Sequence, residues 1–134
     1  MDLAPLLSLA RLRRIERRQA ELDLAHAARG VMEARLTQTA WENRIRQHAT
    51  AEDPLALLAW LPTARAAVAS ARAEERAAEC RREAAQRALA AALAAEDVVE
   101  QALAKRRAED AREAMRRAVK ESLPPQPALS GMLA

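Results

Sequence analysis

Phenylalanine and tyrosine are absent from this 134-residue chain, which has only 2 Trp, 2 Gly and 1 Cys. Without aromatic bulk a thick globular core is excluded. Much of the 51 % apolar content is alanine, which buries little area, and burial contributes roughly 25 cal/mol per Å². Gly30 and Gly131 alone cannot build a phosphate-cradling loop or a dinucleotide fingerprint. A lone cysteine, Cys80, excludes an internal disulfide, suits a reducing compartment, and reads as a small helix residue. His26 and His48 have no partners at metal-ligand spacing; His26 beside Asp23 and Glu33 reads as a solvated side chain. Val, Ile and Thr are scarce, which disfavours strands. The opening Met1-Asp2-Leu3-Ala4-Pro5-Leu6-Leu7 is too short an apolar run for a signal peptide, and no stretch approaches the ~20 apolar residues of a membrane span. A soluble, cytoplasmic, single-domain protein is expected.

What the chain does contain is Ala, Arg, Glu and Leu, the profile of long helices. Charged residues make up 31 %, yet the formal net charge is only +3 and the pI about 9.9. Signs are interspersed, so the surface is solvated and only mildly inclined toward acidic partners.

Two helices account for most of the length. Helix 1 is expected over about 5–48, opened by Pro5 in its first turn. Leu9, Leu12, Ile15, Leu22, Ala25, Met32 and Leu36 recur at threes, fours and sevens and form its expected inner face. Gly30 is its one weak point, costing ~1 kcal/mol against alanine. The turn is expected at 49–53, and Asp53-Pro54 is a helix start, with Asp as N-cap and Pro at N1. Helix 2 is expected over about 54–122; Pro62 either kinks it or splits off a short helix over Leu55–Leu61. Pro124-Pro125-Gln126-Pro127 ends it, leaving a flexible tail over 123–134.

Helix 2 carries a heptad: Ala71, Ala78, Ala85, Ala92 and Val99 in one series, with Val68, Leu89 and Leu103 in the companion series beside Glu75, Arg82 and Glu96. Such a small-residue seam permits close approach but is weaker than a Leu/Ile zipper. Helices of ~65 and ~100 Å must pair, since isolated helices are marginal in water. The expected fold is therefore all-α, a long antiparallel two-helix coiled-coil hairpin with helix 2 overhanging helix 1. Centring the turn near Ala51 sets Trp41 opposite Trp60 and Leu12 opposite Leu89, and leaves 100–122 unpaired. Trp41 and Trp60 then lie near the hairpin tip, where a tryptophan serves as a core plug or as a contact anchor. The seam's charges leave dimers or larger bundles open.

A two-helix rod offers no water-excluding pocket, so no catalysis, cofactor, metal or small-molecule substrate is expected. The basic cluster Arg11, Arg13, Arg14, Arg17 and Arg18 is read as a solvated helix face rather than a specific nucleic-acid site.

The chain resembles the flagellar export protein FliJ family and its type III secretion counterparts of the YscO type. The likeness lies in the opening Leu3-Ala4-Pro5-Leu6-Leu7-Ser8-Leu9-Ala10-Arg11-Leu12-Arg13, in Leu55-Ala56-Leu57-Leu58-Ala59-Trp60-Leu61-Pro62 after the break, and in the return helix ending Val98-Val99-Glu100-Gln101-Ala102-Leu103-Ala104-Lys105-Arg106-Arg107-Ala108-Glu109. That resemblance implies a stalk similar to the central shaft of rotary ATPases. Its open end inserts into an export ATPase hexamer, and its tip touches the cytoplasmic domain of the export gate membrane protein. Export chaperones are further implied partners, and the protein is peripheral to the membrane through its partners only. On this sequence Trp60, Ala64, Ala67 and Ala71 correspond to the gate-contacting stripe, with Trp41 and Ile45 as counterparts on helix 1. For the ring, position selects Arg11, Arg14 and Arg18 with Arg106, Arg107, Arg112 and Arg116. The alternatives are a generic coiled-coil adaptor or chaperone, and a basic coiled coil associated with nucleic acid.

Overall fold

A computed structural model describes residues 2–50 and 53–124. Helix α1 covers Ala4–His48 and helix α2 covers Pro54–Ser122, and the two pack against each other. Among the described residues there are no strands.

Local chemistry sets the helix ends. The Asp2 carboxylate accepts a hydrogen bond from the Ala4 backbone N–H at 2.9 Å, and Pro5 fills a first-turn position that has no donor to lose. Asp53 caps α2, its carboxylate accepting from the N–H groups of Leu55 (3.1 Å) and Ala56 (3.3 Å). Leu123 is extended (φ −68°, ψ 129°), as the residue before Pro124 must be. Helix α2 runs unbroken through Pro62, so no separate short helix forms over Leu55–Leu61. Pro62 lies exposed, where water can meet the Leu58 carbonyl that the ring deprives of its helical donor. Of the expected turn, Ala51 and Glu52 lie outside the described residues, as does most of the expected tail.

The seam on α2 follows the series read from the sequence. Ala64, Val68, Ala71, Ala78, Val99 and Leu103 are buried, with Glu75, Arg82, Ala85, Leu89, Ala92 and Glu96 half-buried between them. On α1 the face is different from the one expected. The residues turned toward α2 are Ala10, Arg13, Arg17, Ala20, Leu24, Ala27, Val31, Ala34, Gln38, Trp41 and Ile45, alternately three and four apart. Leu12, Ile15, Leu22, Met32 and Leu36, the heart of the expected inner face, point outward at 48–64 % exposure. The most deeply buried seam positions are thus mostly alanine and valine, with larger and charged side chains half-buried between them. Close backbone approach compensates for the little area each alanine contributes. The seam also holds charge: among the described residues the Nε atoms of Arg13 and Arg82 lie buried without a hydrogen-bond partner, while their Nη atoms pair with Glu16 and Glu79.

The register also differs from expectation. Ion pairs join Arg14 to Glu100 (3.0 Å), Arg17 to Glu96, Arg35 to Glu75 (3.1 Å) and Glu79 (2.6 Å), and Glu42 to Arg72 (3.7 Å). Partner numbers fall on α2 as they rise on α1, and each pair adds to between 110 and 114 rather than about 101. Helix α2 is displaced along α1 by several residues relative to a symmetric turn. Its first three turns therefore extend past the end of α1. At the other end, Leu103 packs with Ala10 and Val99 beneath Leu3, Leu6, Leu7 and Leu9. The overhang begins near Ala111 rather than Glu100, and every described residue from there on is exposed.

Beyond Leu103 the seam positions of α2 become Arg106, Asp110, Glu113 and Arg117. The sequence stops specifying an α1-facing side where α1 itself begins.

Gly30 is half-buried, yet a Cβ built there meets nothing within 4 Å. Gly30→Ala therefore gains helix propensity with no steric cost. We expect stabilisation by about 1 kcal/mol, read as a raised midpoint in urea unfolding at unchanged slope.

Candidate functional site

The two ends of the rod differ in chemistry. At the tip, α2 extends roughly 16 Å past α1 at the helical rise of ~1.5 Å per residue. Leu55 and Leu58 are 78 % and 64 % exposed there, while Leu57, Trp60 and Leu61 are half-buried. Trp60 lies against His48, ring centroids 4.4 Å apart and tilted by 51°. That contact joins the end of α1 to the extension of α2. Trp41 is not its partner: Trp41 sits half-buried further down the seam, with the Arg44 guanidinium over its ring at 4.9 Å. The expected cross-hairpin tryptophan pair is undone by the register, which places Trp41 near Arg72.

A shallow groove of about 530 Å³ lies just below the tip, lined by Glu42, Ile45, Arg46, Arg65, Val68, Ala69 and Arg72. Ile45 is its half-buried floor, and Arg46 and Arg65 are exposed on its walls. Ala64 and Ala71 are buried at 0 % and 7 % exposure and Ala67 is half-buried. Ala64 and Ala71 are turned into the contact with α1, and the most exposed large apolar groups at the tip are Leu55 and Leu58. Sequence reasoning passed over those two leucines. Their signal was a Leu-rich first turn preceding the point at which the Ala heptad begins.

No protein-family model, curated protein or solved structure matches this chain.

At the open end the selected arginines divide, among the described residues, into ion-paired and exposed groups. Arg14 is held by Glu100 through both Nε (3.3 Å) and Nη2 (3.0 Å), and Arg106 is paired with Asp110 at 3.4 Å. Arg11, Arg18, Arg107, Arg112 and Arg116 are exposed. Arg112 and Arg116 flank a shallow apolar groove of about 400 Å³ formed with Met115 and Val119. Met115, Val119 and Leu123, four residues apart, are 69, 55 and 64 % exposed. The overhang is thus an amphipathic single helix with a basic edge, the kind of element that lies in a partner's groove.

Between the ends, Arg17 bonds Glu21 on its own helix and Glu96 across the seam. Those bonds, Glu21 first and Glu96 next, raise its guanidinium above the ordinary arginine value. An upward shift contributes stability that is fully present below the unfolded value and lost only above the folded one. That window lies far above neutral pH.

Among the described residues no three His, Cys, Asp or Glu side chains converge to hold a metal ion. Cys80 is exposed on α2. One 18-residue window of α2 reaches a mean hydropathy of 1.2, apolar enough by length and composition to meet the threshold for a membrane span, with 17 % of it buried. The expectation that nothing approaches that threshold is corrected.

Proposed function

We propose that this chain is a non-enzymatic central stalk of a flagellar or type III protein-export ATPase complex, built as an antiparallel two-helix coiled-coil hairpin. The observation that carries this reading is that α2 outruns α1 at both ends, with an apolar tip at one and a basic helix at the other. A shaft that works inside a ring needs a mixed-charge flank that adheres weakly, a stiff middle and two unlike ends. The flank here is laced with exposed ion pairs, each worth little in water.

The open end, with Arg11, Arg18, Arg107, Arg112 and Arg116, enters the ATPase hexamer. The tip, with Leu55, Leu58 and Trp60, meets the cytoplasmic domain of the export gate, and export chaperones are handled along the way. The protein is cytoplasmic and reaches the membrane face through its partners. Interspersed acids oppose the nucleic-acid alternative, since Glu100 already occupies Arg14.

The test uses the purified chain with its cognate ATPase. We expect it to bind the hexamer and raise turnover several-fold. Arg107→Ala, Arg112→Ala and Arg116→Ala together should lose that effect with helicity unchanged. Leu58→Glu with Trp60→Ala should keep it and lose capture of the gate domain. Neither binding nor stimulation by the wild-type chain would remove the stalk reading.

A further inference from the structure

The fully buried side chains of helix α1 are all small, Ala10, Ala20, Val31 and Ala34, while five of its large ones stand outside. Leu12, Ile15, Leu22, Met32 and Leu36 are 48, 62, 64, 60 and 63 % exposed. Ile15, Leu22 and Leu36 recur at sevens, about half a helical turn away from the seam row that runs from Ala10 to Ile45. Leu12 flanks them on one side and Met32, with Ala25, on the other. A periodic stripe of this kind, on the side opposite a seam already filled, is a second helix-packing face.

We propose that this stripe is the interface with a second copy of the same chain, two α1 helices lying side by side in opposite directions and the two α2 helices outermost. A two-fold interface must complement itself, and the stripe does. Running α1 against itself about a centre near residue 24 sets Leu12 on Leu36, Ile15 on Met32 and Leu22 on Ala25, each contact occurring twice. A stripe meant for an unrelated helix has no reason to be symmetric about its middle. The area is sufficient. The five large side chains expose together roughly 600 Å², so two copies offer at most about 1,200 Å² from them, the lower bound of specific interfaces, and their neighbours on the stripe add to it. The chain also has surface to cover: 10498 Å² is accessible at 14.7 kDa, against roughly 6,900 Å² for a compact chain of that mass.

One kind of layer, occurring twice, opposes the pairing, and its sign makes the proposal sharper. The same alignment brings Arg29 beside Arg18 of the second copy. Their aliphatic stems can lie along the stripe while the guanidinium groups reach outward, and Glu33, four residues on from Arg29, partly neutralises the layer. The association is therefore hydrophobic with a like-charge penalty, and added salt tightens it, unlike an association driven by opposite charges.

Sedimentation equilibrium of the full chain reads the proposal directly. We expect a monomer–dimer equilibrium in the micromolar range that strengthens with sodium chloride. Leu22→Glu with Leu36→Glu should be monomeric with wild-type helicity, because both positions are exposed in the single chain. Arg29→Leu should tighten the dimer by about tenfold or more, since it removes the like-charge contact with Arg18 from both symmetry-related layers. A wild-type chain that stays monomeric throughout this range overturns the proposal. So does a dimer that the two glutamates leave intact, since it would use another surface. ATPase binding is not an ingredient of this test, so its result stands apart from the stalk reading.

Discussion

Replacing Leu103 by alanine should destabilise the hairpin by about 2–3 kcal/mol, the largest loss expected from any single truncation in this chain. Leu103 is 3 % exposed and anchors a core cluster in which large apolar side chains from both helices meet, with Ala10, Val99 and the leucines of the α1 start. Elsewhere the buried residues are alanines and valines, from which little can be removed. The value lies toward the lower end of the usual range because the leucines around it are only half-buried and can close part of the gap. Urea unfolding followed by far-ultraviolet circular dichroism measures it. A loss below about 0.5 kcal/mol would mean that the open end is frayed in solution and that pairing begins deeper in the rod.

Pro62→Ala should act in the opposite sense and locally. An interior proline costs about 3 kcal/mol relative to alanine, and here it sits exposed, close to the point where the tip leaves the support of α1. Removing it restores a donor to the Leu58 carbonyl. Amide hydrogen exchange over Leu58 to Ala66 should slow by about a hundredfold, while the global unfolding midpoint moves far less, because the tip opens independently of the seam. Equal shifts in both would show that tip and seam unfold as one unit. If the tip requires flexure to engage its partner, the same variant loses partner binding while gaining helix.

Much of this fold is legible in the residues themselves. Asp53-Pro54 and Pro124 set helix ends through local chemistry, and the Ala71, Ala78, Ala85, Ala92, Val99 series announced the buried face of α2. The inner face of α1 was not legible by following its largest side chains. Leu12, Ile15, Leu22 and Leu36 have the stronger helical periodicity, but the row that mates with an alanine seam is itself alanine-rich. Ala10, Ala20, Ala27 and Ala34 carry no conspicuous hydrophobic signal. Register was hidden for another reason. A turn centred on its own midpoint is the simplest assumption, and only the match of Arg14 with Glu100 and Arg35 with Glu75 and Glu79 reveals the displacement. Of the candidate site, Trp60 was visible as a rare residue beside the break. The exposure of Leu55 and Leu58 depended on that displacement and could not be read before it.

The unequal lengths of the helices have a mechanical consequence. Two helices bonded along a seam form a beam much stiffer than either alone, and α1 acts as a splint on α2 from about Ala64 to Asp110. That is roughly 70 Å of rigid shaft at the helical rise. Outside the splint, α2 is a single helix for roughly 16 Å at the tip and 18 Å at the open end. A push or twist applied at one end is delivered to the other through the shaft with little loss. Bending is expected mainly in two short couplings, one containing Pro62 and the other bare helix.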